Sequence, residues 1–222
     1  MSYDINIQKK IKHDIDIILS SIDNGIINRG FAQKVKEQRL SQEIETYIKE
    51  RIKDVFNGNK SKLKYLSAIK ENNGSTKAPY ELLFEFFVDG KEYNVYVDFK
   101  PINTLASNTA PFMGSINKYI ERLKGNNFYD VFMIVNYKSE VNKLPELVNI
   151  DLEFVKDITN FTLYNNWQLQ LTIKLTKIEF GRDPKEFKND LLKLLNRMKT
   201  DTIKKIVEKC DKNINILNEI KL

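Results

Sequence analysis

The dipeptide Asp89-Gly90 constrains this chain more than any other pair of residues. It separates two runs rich in Phe, Tyr, Val and Leu, residues 80–88 and 91–100. Asp-Gly is a favoured pair for a two-residue type I′ hairpin turn. A loop that short leaves no freedom in register. Val88 then faces Lys91, Phe86 faces Tyr93, Phe84 faces Val95 and Leu82 faces Val97, which predicts one apolar face turned to a core. On the other face Glu85 meets Asn94, Leu83 meets Tyr96 and Glu81 meets Asp98, with Lys100 two residues on and on the same side. Two carboxylates and one ammonium group therefore converge at the open end of the hairpin.

The flanking segments supply the layers that such a hairpin needs. Ile7, Ile11, Ile15, Ile18 and Ile22 recur at three- and four-residue spacing, which predicts an amphipathic helix over 5–22 that Asp23-Asn24-Gly25 ends. Val35, Leu40, Ile44, Tyr47, Ile48, Ile52 and Val55 predict a second over about 32–56, closed by Asn57-Gly58-Asn59. Leu63, Tyr65 and Ile69 suggest a strand before the hairpin. After it come a polar connection (103–109), a helix over about 112–124 and a nearly continuous apolar strand over 128–135. Strand, helix and buried strand in that order make a crossover unit with two parallel strands, so the sheet is mixed. Further strands are expected near 152–155 and 167–175. Asp183-Pro184-Lys185-Glu186 then opens a helical, basic tail, with Asp183 as N-cap, Pro184 in the first turn and Glu186 completing a capping box. No repeat and no Gly/Ser- or Pro-rich linker divides the chain. The expectation is a single α/β domain over 1–222, with a mixed central sheet flanked by helices, a core at about 32–136, an amino-terminal helix at 5–22 and further strands and helices at 150–222.

Composition narrows the chemistry. Hydrophobic residues make up 41 % and charged residues 30 %, a balance suited to a folded soluble protein. No apolar run approaches the ~20 residues that span a bilayer, and Met1-Ser2-Tyr3-Asp4 does not open a signal peptide, so a cytoplasmic setting without a membrane is expected. Cys210 and His13 are the only residues of their types, which removes internal disulfides, Cys-based metal sites and most imidazole mechanisms. Catalysis, if present, rests on carboxylates and lysines. The net charge of +6 and pI near 9.1 suit a polyanionic partner, although lysines that are merely solvated give the same figures.

Asp98-Phe99-Lys100 on a strand, with Glu81 on its neighbour, resembles the active-site motif of the PD-(D/E)xK nuclease superfamily, which includes type II restriction endonucleases. The order helix, strand, hairpin, helix, strand across about 32–136 resembles that family's αβββαβ core, with extra helices at both ends. The resemblance implies that Glu81, Asp98 and the carbonyl of Phe99 bind Mg²⁺ and that Lys100 orients or polarises the attacking water. Hard oxygen ligands suit that ion. It further implies a glutamate from the first core helix; among Glu43, Glu45 and Glu50 the choice falls on Glu45, beside the apolar stripe at Ile44. The sequence departs from the family pattern in Pro79-Tyr80-Glu81, where the family usually places Asp directly after Pro. Glu85 and Glu71 compete with Glu81 for the role of first acid.

The resemblance implies double-stranded DNA as substrate, with Lys34, Lys36, Arg39, Asn103, Thr104, Ser107 and Asn108 as candidate DNA contacts and Arg122 with Lys124 as a second basic cluster. Trp167 reads as a core anchor. A stand-alone enzyme of this kind is expected to be a homodimer that cuts a palindromic site, with Leu191, Leu192, Leu194, Leu195, Ile203, Ile206 and Val207 available either as interface surface or simply as cover for the sheet. Two other functions remain open at this point: a repair, recombination or phage nuclease of the same fold, and a non-catalytic basic DNA-binding protein whose charged hairpin end is only a set of ion pairs.

Overall fold

The computed structural model describes residues 3–27, 37–71, 80–105, 112–125, 128–140, 143–163, 168–171 and 178–219. Asp89 (φ 51°) and Gly90 (φ 78°) both adopt positive φ, as a type I′ turn requires. The turn joins β3 (Leu82–Val88) to β4 (Lys91–Asn103), and all the pairings expected from Val88↔Lys91 to Leu82↔Val97 are formed. A helix α1 (Ile5–Ser20) packs beside the hairpin, and its Lys10 Nζ donates to both carboxylate oxygens of Asp89 at 2.7 and 2.6 Å.

The main sheet has six strands. Its order is β1 (Gly25–Ile26), β7 (Glu146–Phe154), β6 (Val131–Lys138), β4, β3, β2 (Leu66–Glu71), with β4 and β6 parallel and every other pair antiparallel. This is the mixed sheet that the crossover implies. One face is covered by α1 and by α2 (Glu37–Asn59), whose Ile11, Ile15, Ile18, Ile44, Ile48 and Ile52 are fully buried against Phe84, Phe86, Val95, Val97, Val131 and Met133. Phe132 and Ile134 of β6 point to the other face, into a second core with α3 (Ile116–Lys124) and α4 (Pro184–Glu219). Alternation along β4 puts Val97 and Phe99 in the first core, and Asp98 and Lys100 on the α3 side.

Several elements differ from expectation, each for a local reason. The helix expected from 112 begins at Ile116. Residues 112–115 form strand β5 (Phe112–Ser115) because Gly114, at φ 122°, breaks helical geometry, and Ser115 caps α3 by accepting the Lys118 N–H at 3.4 Å. β5 pairs with β9 (Gln168–Leu171), which lies within the strand expected near 167–175 and pairs in turn with β8 (Phe161–Leu163), making a small second sheet whose β5 and β8 periodicity did not reveal. β6 starts three residues later than the apolar run, with Tyr129 and Asp130 buried ahead of it. The strand expected near 152–155 begins at Glu146, and α1 stops at Ser20 while Ile22 stays buried. The tail is one helix of 36 residues, with Asp183 accepting the Lys185 N–H at 2.8 Å as its cap.

Asp14 was not foreseen as a structural residue. It is fully buried on α1, and its carboxylate accepts the N–H groups of Lys64, Tyr65 and Leu66 at 3.2, 2.6 and 2.7 Å, fixing where β2 begins. A second buried cluster fastens the start of α4. Asp157 accepts from Gln8 Nε2, Lys156 Nζ and the Arg182 N–H, and Arg182 pairs with Asp190.

Candidate active site

Glu81 lies one residue ahead of β3, and both its main chain and its side chain are tied to β4. Its N–H donates to the Val97 carbonyl at 3.0 Å, and its Oε2 accepts the Phe99 N–H at 2.6 Å. These two bonds aim its carboxyl at that of Asp98, with which it shares a hydrogen bond. Asp98 is flanked by two ammonium groups: Lys100 Nζ at 2.7 Å from Oδ1 and Lys118 Nζ, from α3, at 3.2 Å from Oδ2. Lys100 also lies over the Phe132 ring, 5.1 Å from its centroid, so its reach is directed from below by the second core. The acids and the lysine that the hairpin register predicts do converge.

The electrostatics follow from this packing. Burial pushes the Glu81 carboxyl up to about 8, with the Asp98 charge, the Glu81–Asp98 hydrogen bond and the Glu45 charge acting in the same direction and the Phe99 N–H opposing them. Burial would raise Asp98 as well, but Lys100 and Lys118 outweigh it and hold that carboxyl below its ordinary value. The two carboxyls are thus driven apart, Glu81 toward holding a proton and Asp98 toward the charged form.

Glu45 projects from α2 near enough for its charge to act on Glu81, and it forms an ion pair with Lys49, whose Nζ lies 5.7 Å from the Phe99 ring centroid. The competing acids are engaged elsewhere, Glu85 by Lys70 and Glu71 by Lys53. Asn103 and Thr104 stand at the end of β4 but face the end of β6: Asn103 Oδ1 accepts the N–H groups of Leu105 and Ser139 at 3.1 and 3.3 Å, and the Thr104 hydroxyl donates to the Tyr137 carbonyl at 3.3 Å. Lys34, Lys36, Ser107, Asn108 and Trp167 lie outside the described residues, as does the side chain of Arg39, whose backbone is in α2. Lys124 pairs with Glu121 on the surface, whereas Arg122 is turned inward. Its Nε lies 3.2 Å from Asp130, and its guanidinium carbon lies 3.5 Å above the Tyr96 ring, which in turn packs on Tyr80.

Two features escaped the sequence reading. Lys118 is one turn into a helix whose docking on the sheet is a tertiary fact, and no strand alternation signals it. Asp130 is 7 % exposed, and burial pushes it up to about 7 against the opposing pull of Arg122 and Lys118. The only sequence cue to it was an acid set between Tyr129 and Val131 in an otherwise apolar run.

Among the described residues, no three His, Cys, Asp or Glu side chains are grouped as a ready-made metal cage. The donor set nevertheless fits Mg²⁺. That ion keeps several waters and is commonly held by one or two carboxylates plus phosphate oxygens. Two carboxyls in contact that must share a proton have the excess of acceptor oxygens that a divalent cation would satisfy.

The model of a family described as SwaI restriction endonuclease matches residues 4–216, nearly the whole chain. No curated protein matches. Among solved structures 41 chains match, one of them described as NlaIV restriction endonuclease, at 15 % identity and a TM-score of 0.42, covering 79 % of this chain and 69 % of that one.

Proposed function

Since the chain belongs to the SwaI-like restriction endonuclease family, we propose that it is a Mg²⁺-dependent type II enzyme hydrolysing both strands of double-stranded DNA at a specific palindromic site. The observation that carries this reading is the Glu81–Asp98 carboxyl pair beside Lys100 at the open end of a register-locked hairpin. The whole of residues 1–222 is read as one nuclease domain working in the cytoplasm as a homodimer.

In this reading Glu81, Asp98 and the Phe99 carbonyl hold the ion. When bound, it neutralises charge on the scissile phosphate and acidifies the attacking water. Glu81 must first give up its proton, and its carboxylate is then held in place by the Phe99 N–H. Lys100 exchanges its bond to Asp98 Oδ1 for the attacking water and orients it at phosphorus. The water oxygen bonds to phosphorus and gives up one proton to solvent, one ester P–O bond breaks, and the departing alkoxide takes up a proton from solvent water. Glu45 stands at the rim on α2 and tunes the charge of the pair. Lys34, Lys36, Arg39, Asn103, Thr104, Ser107 and Asn108 are proposed to position the duplex through phosphate and groove contacts.

Digestion of a plasmid of known sequence tests this directly. The expected result is discrete fragments with Mg²⁺ and none with EDTA. Asp98→Asn and Lys100→Ala are expected to reduce cleavage at least about 1000-fold while duplex binding persists, as loss of a central electrostatic group commonly does. Random nicking would favour a repair-type nuclease. Full activity in Asp98→Asn would sink the assignment of the site.

A further inference from the structure

Asp98 has a lysine on each oxygen, and the strand motif accounts for only one of them. Lys118 arrives from the first turn of α3, on the opposite side of Asp98 from Lys100, with its Nζ 3.2 Å from Oδ2. The side chains of Lys118, Lys100 and Asp98 are 19 %, 14 % and 13 % exposed, so each keeps a share of its surface open to solvent and Lys118 keeps the largest. Gly114, at φ 122°, lies beside its stem where β5 meets α3, and even a Cβ there would make only ordinary contact, 3.5 Å from Lys118 Cδ. The neighbouring Tyr119 is held in place by donating to the Met113 carbonyl at 2.6 Å.

Two ammonium groups thus converge on the single carboxyl of Asp98, one on each oxygen. A divalent ion on Asp98 would stand within a few ångströms of both, and like charges at that range repel, so one lysine needs a second destination. Lys100 is held over the Phe132 ring. Lys118 has a flexible four-carbon stem and is the more exposed of the two lysines, so it is the one free to meet an arriving anionic phosphate.

We propose that Lys118 is a second cationic catalytic residue, which caps Asp98 in the metal-free protein and transfers to a non-bridging oxygen of the scissile phosphate when DNA and the divalent ion bind. There it offsets the charge that gathers on the equatorial oxygens as phosphorus becomes five-coordinate. The inference rests on the assignment of Glu81, Asp98 and Lys100 as the cleavage site. It adds a phosphate contact that the strand motif does not contain.

The test uses the full-length protein and its Lys118→Met and Lys118→Arg variants. Binding is read by fluorescence anisotropy in Ca²⁺ on a duplex carrying the mapped cleavage site, across a salt series. If Lys118 takes a phosphate, Lys118→Met lowers the slope of log K against log salt by about 0.9. On a duplex with an uncharged methylphosphonate at the scissile position, wild type and Lys118→Met should then bind alike. Single-turnover cleavage should fall about 100-fold in Lys118→Met and recover to within about 10-fold in Lys118→Arg, the size expected of one transition-state donor. An unchanged salt slope, or the same loss of binding on phosphate and methylphosphonate duplexes, would overturn the proposal, as would cleavage at the wild-type rate. Asp98→Asn run in parallel separates the two failures. If it is inactive while Lys118→Met behaves as wild type, only the role of Lys118 is lost; if it cuts normally, the site assignment itself falls.

Discussion

A carboxyl that holds a proton at neutral pH is a poor cation ligand until it releases it, and Glu81, pushed up to about 8, is such a group. Binding of Mg²⁺ should therefore release close to one proton per ion below pH 8, and apparent affinity should rise with pH and level off above that value. Calorimetric titration in two buffers of different ionisation enthalpy measures the proton count, and a Glu81→Gln variant should release none. Stability has the opposite sign. The folded metal-free protein holds this proton more tightly than the unfolded chain, so its stability declines as pH rises from the ordinary glutamate range through about 8. At this scale Glu81, Asp98 and Lys100 were legible because strand alternation and a two-residue turn are local rules. Lys118 and Asp130 were not, because both meet Asp98 only after α3 docks on β4 and β6.

Asp14 shows how one element sets the boundary of another. Three N–H groups at the start of β2 converge on its carboxylate from α1. Burial alone would raise its pKa, but the N–H donors of Leu66, Tyr65 and Lys64, together with His13, outweigh it and hold the carboxyl below its ordinary value. Asp14→Ala leaves those donors unpaired and should cost about 2–4 kcal/mol in urea unfolding at pH 7. Because the folded value is depressed, the stabilisation is present above the unfolded pKa and fades as pH falls through the folded one, so the gap between wild type and variant should narrow in acid. The amphipathic helices and the hairpin could be read from periodicity. Of the small sheet, β9 lies within the alternating run expected at 167–175, whereas β5 and β8, of four and three residues, carry too few alternations to register.

For the molecule as a whole, α4 is the unusual part. At ~1.5 Å per residue it runs to about 54 Å. Phe187 and Leu191 bury its first turns in the second core, and Arg182 with Asp190 and Asp157 pins its start. Every residue from 199 to 213 is exposed, including Ile203, Ile206 and Val207, each about half exposed or more. An isolated helical extension with an apolar stripe is marginal in water, and in the proposed homodimer a second copy of the chain would supply the covering surface. The double variant Ile203→Glu/Ile206→Glu should sediment as a monomer where the wild type sediments as a dimer, with an unchanged melting profile of the body. A wild-type monomer at micromolar concentration would remove this role from α4.

Along β4, catalytic candidates and core residues take turns: Val97 and Phe99 point to one side of the sheet, Asp98 and Lys100 to the other. Such a strand can accept substitutions at either set independently, but it cannot accept a change in length. Inserting or deleting one residue between the turn at Asp89-Gly90 and Asp98 would drive an acid into oil and a phenyl ring into the phosphate path. Divergence among chains of this design should accordingly run through amino-acid replacement and through the loops beyond β4, with the reading frame of the strand itself left untouched.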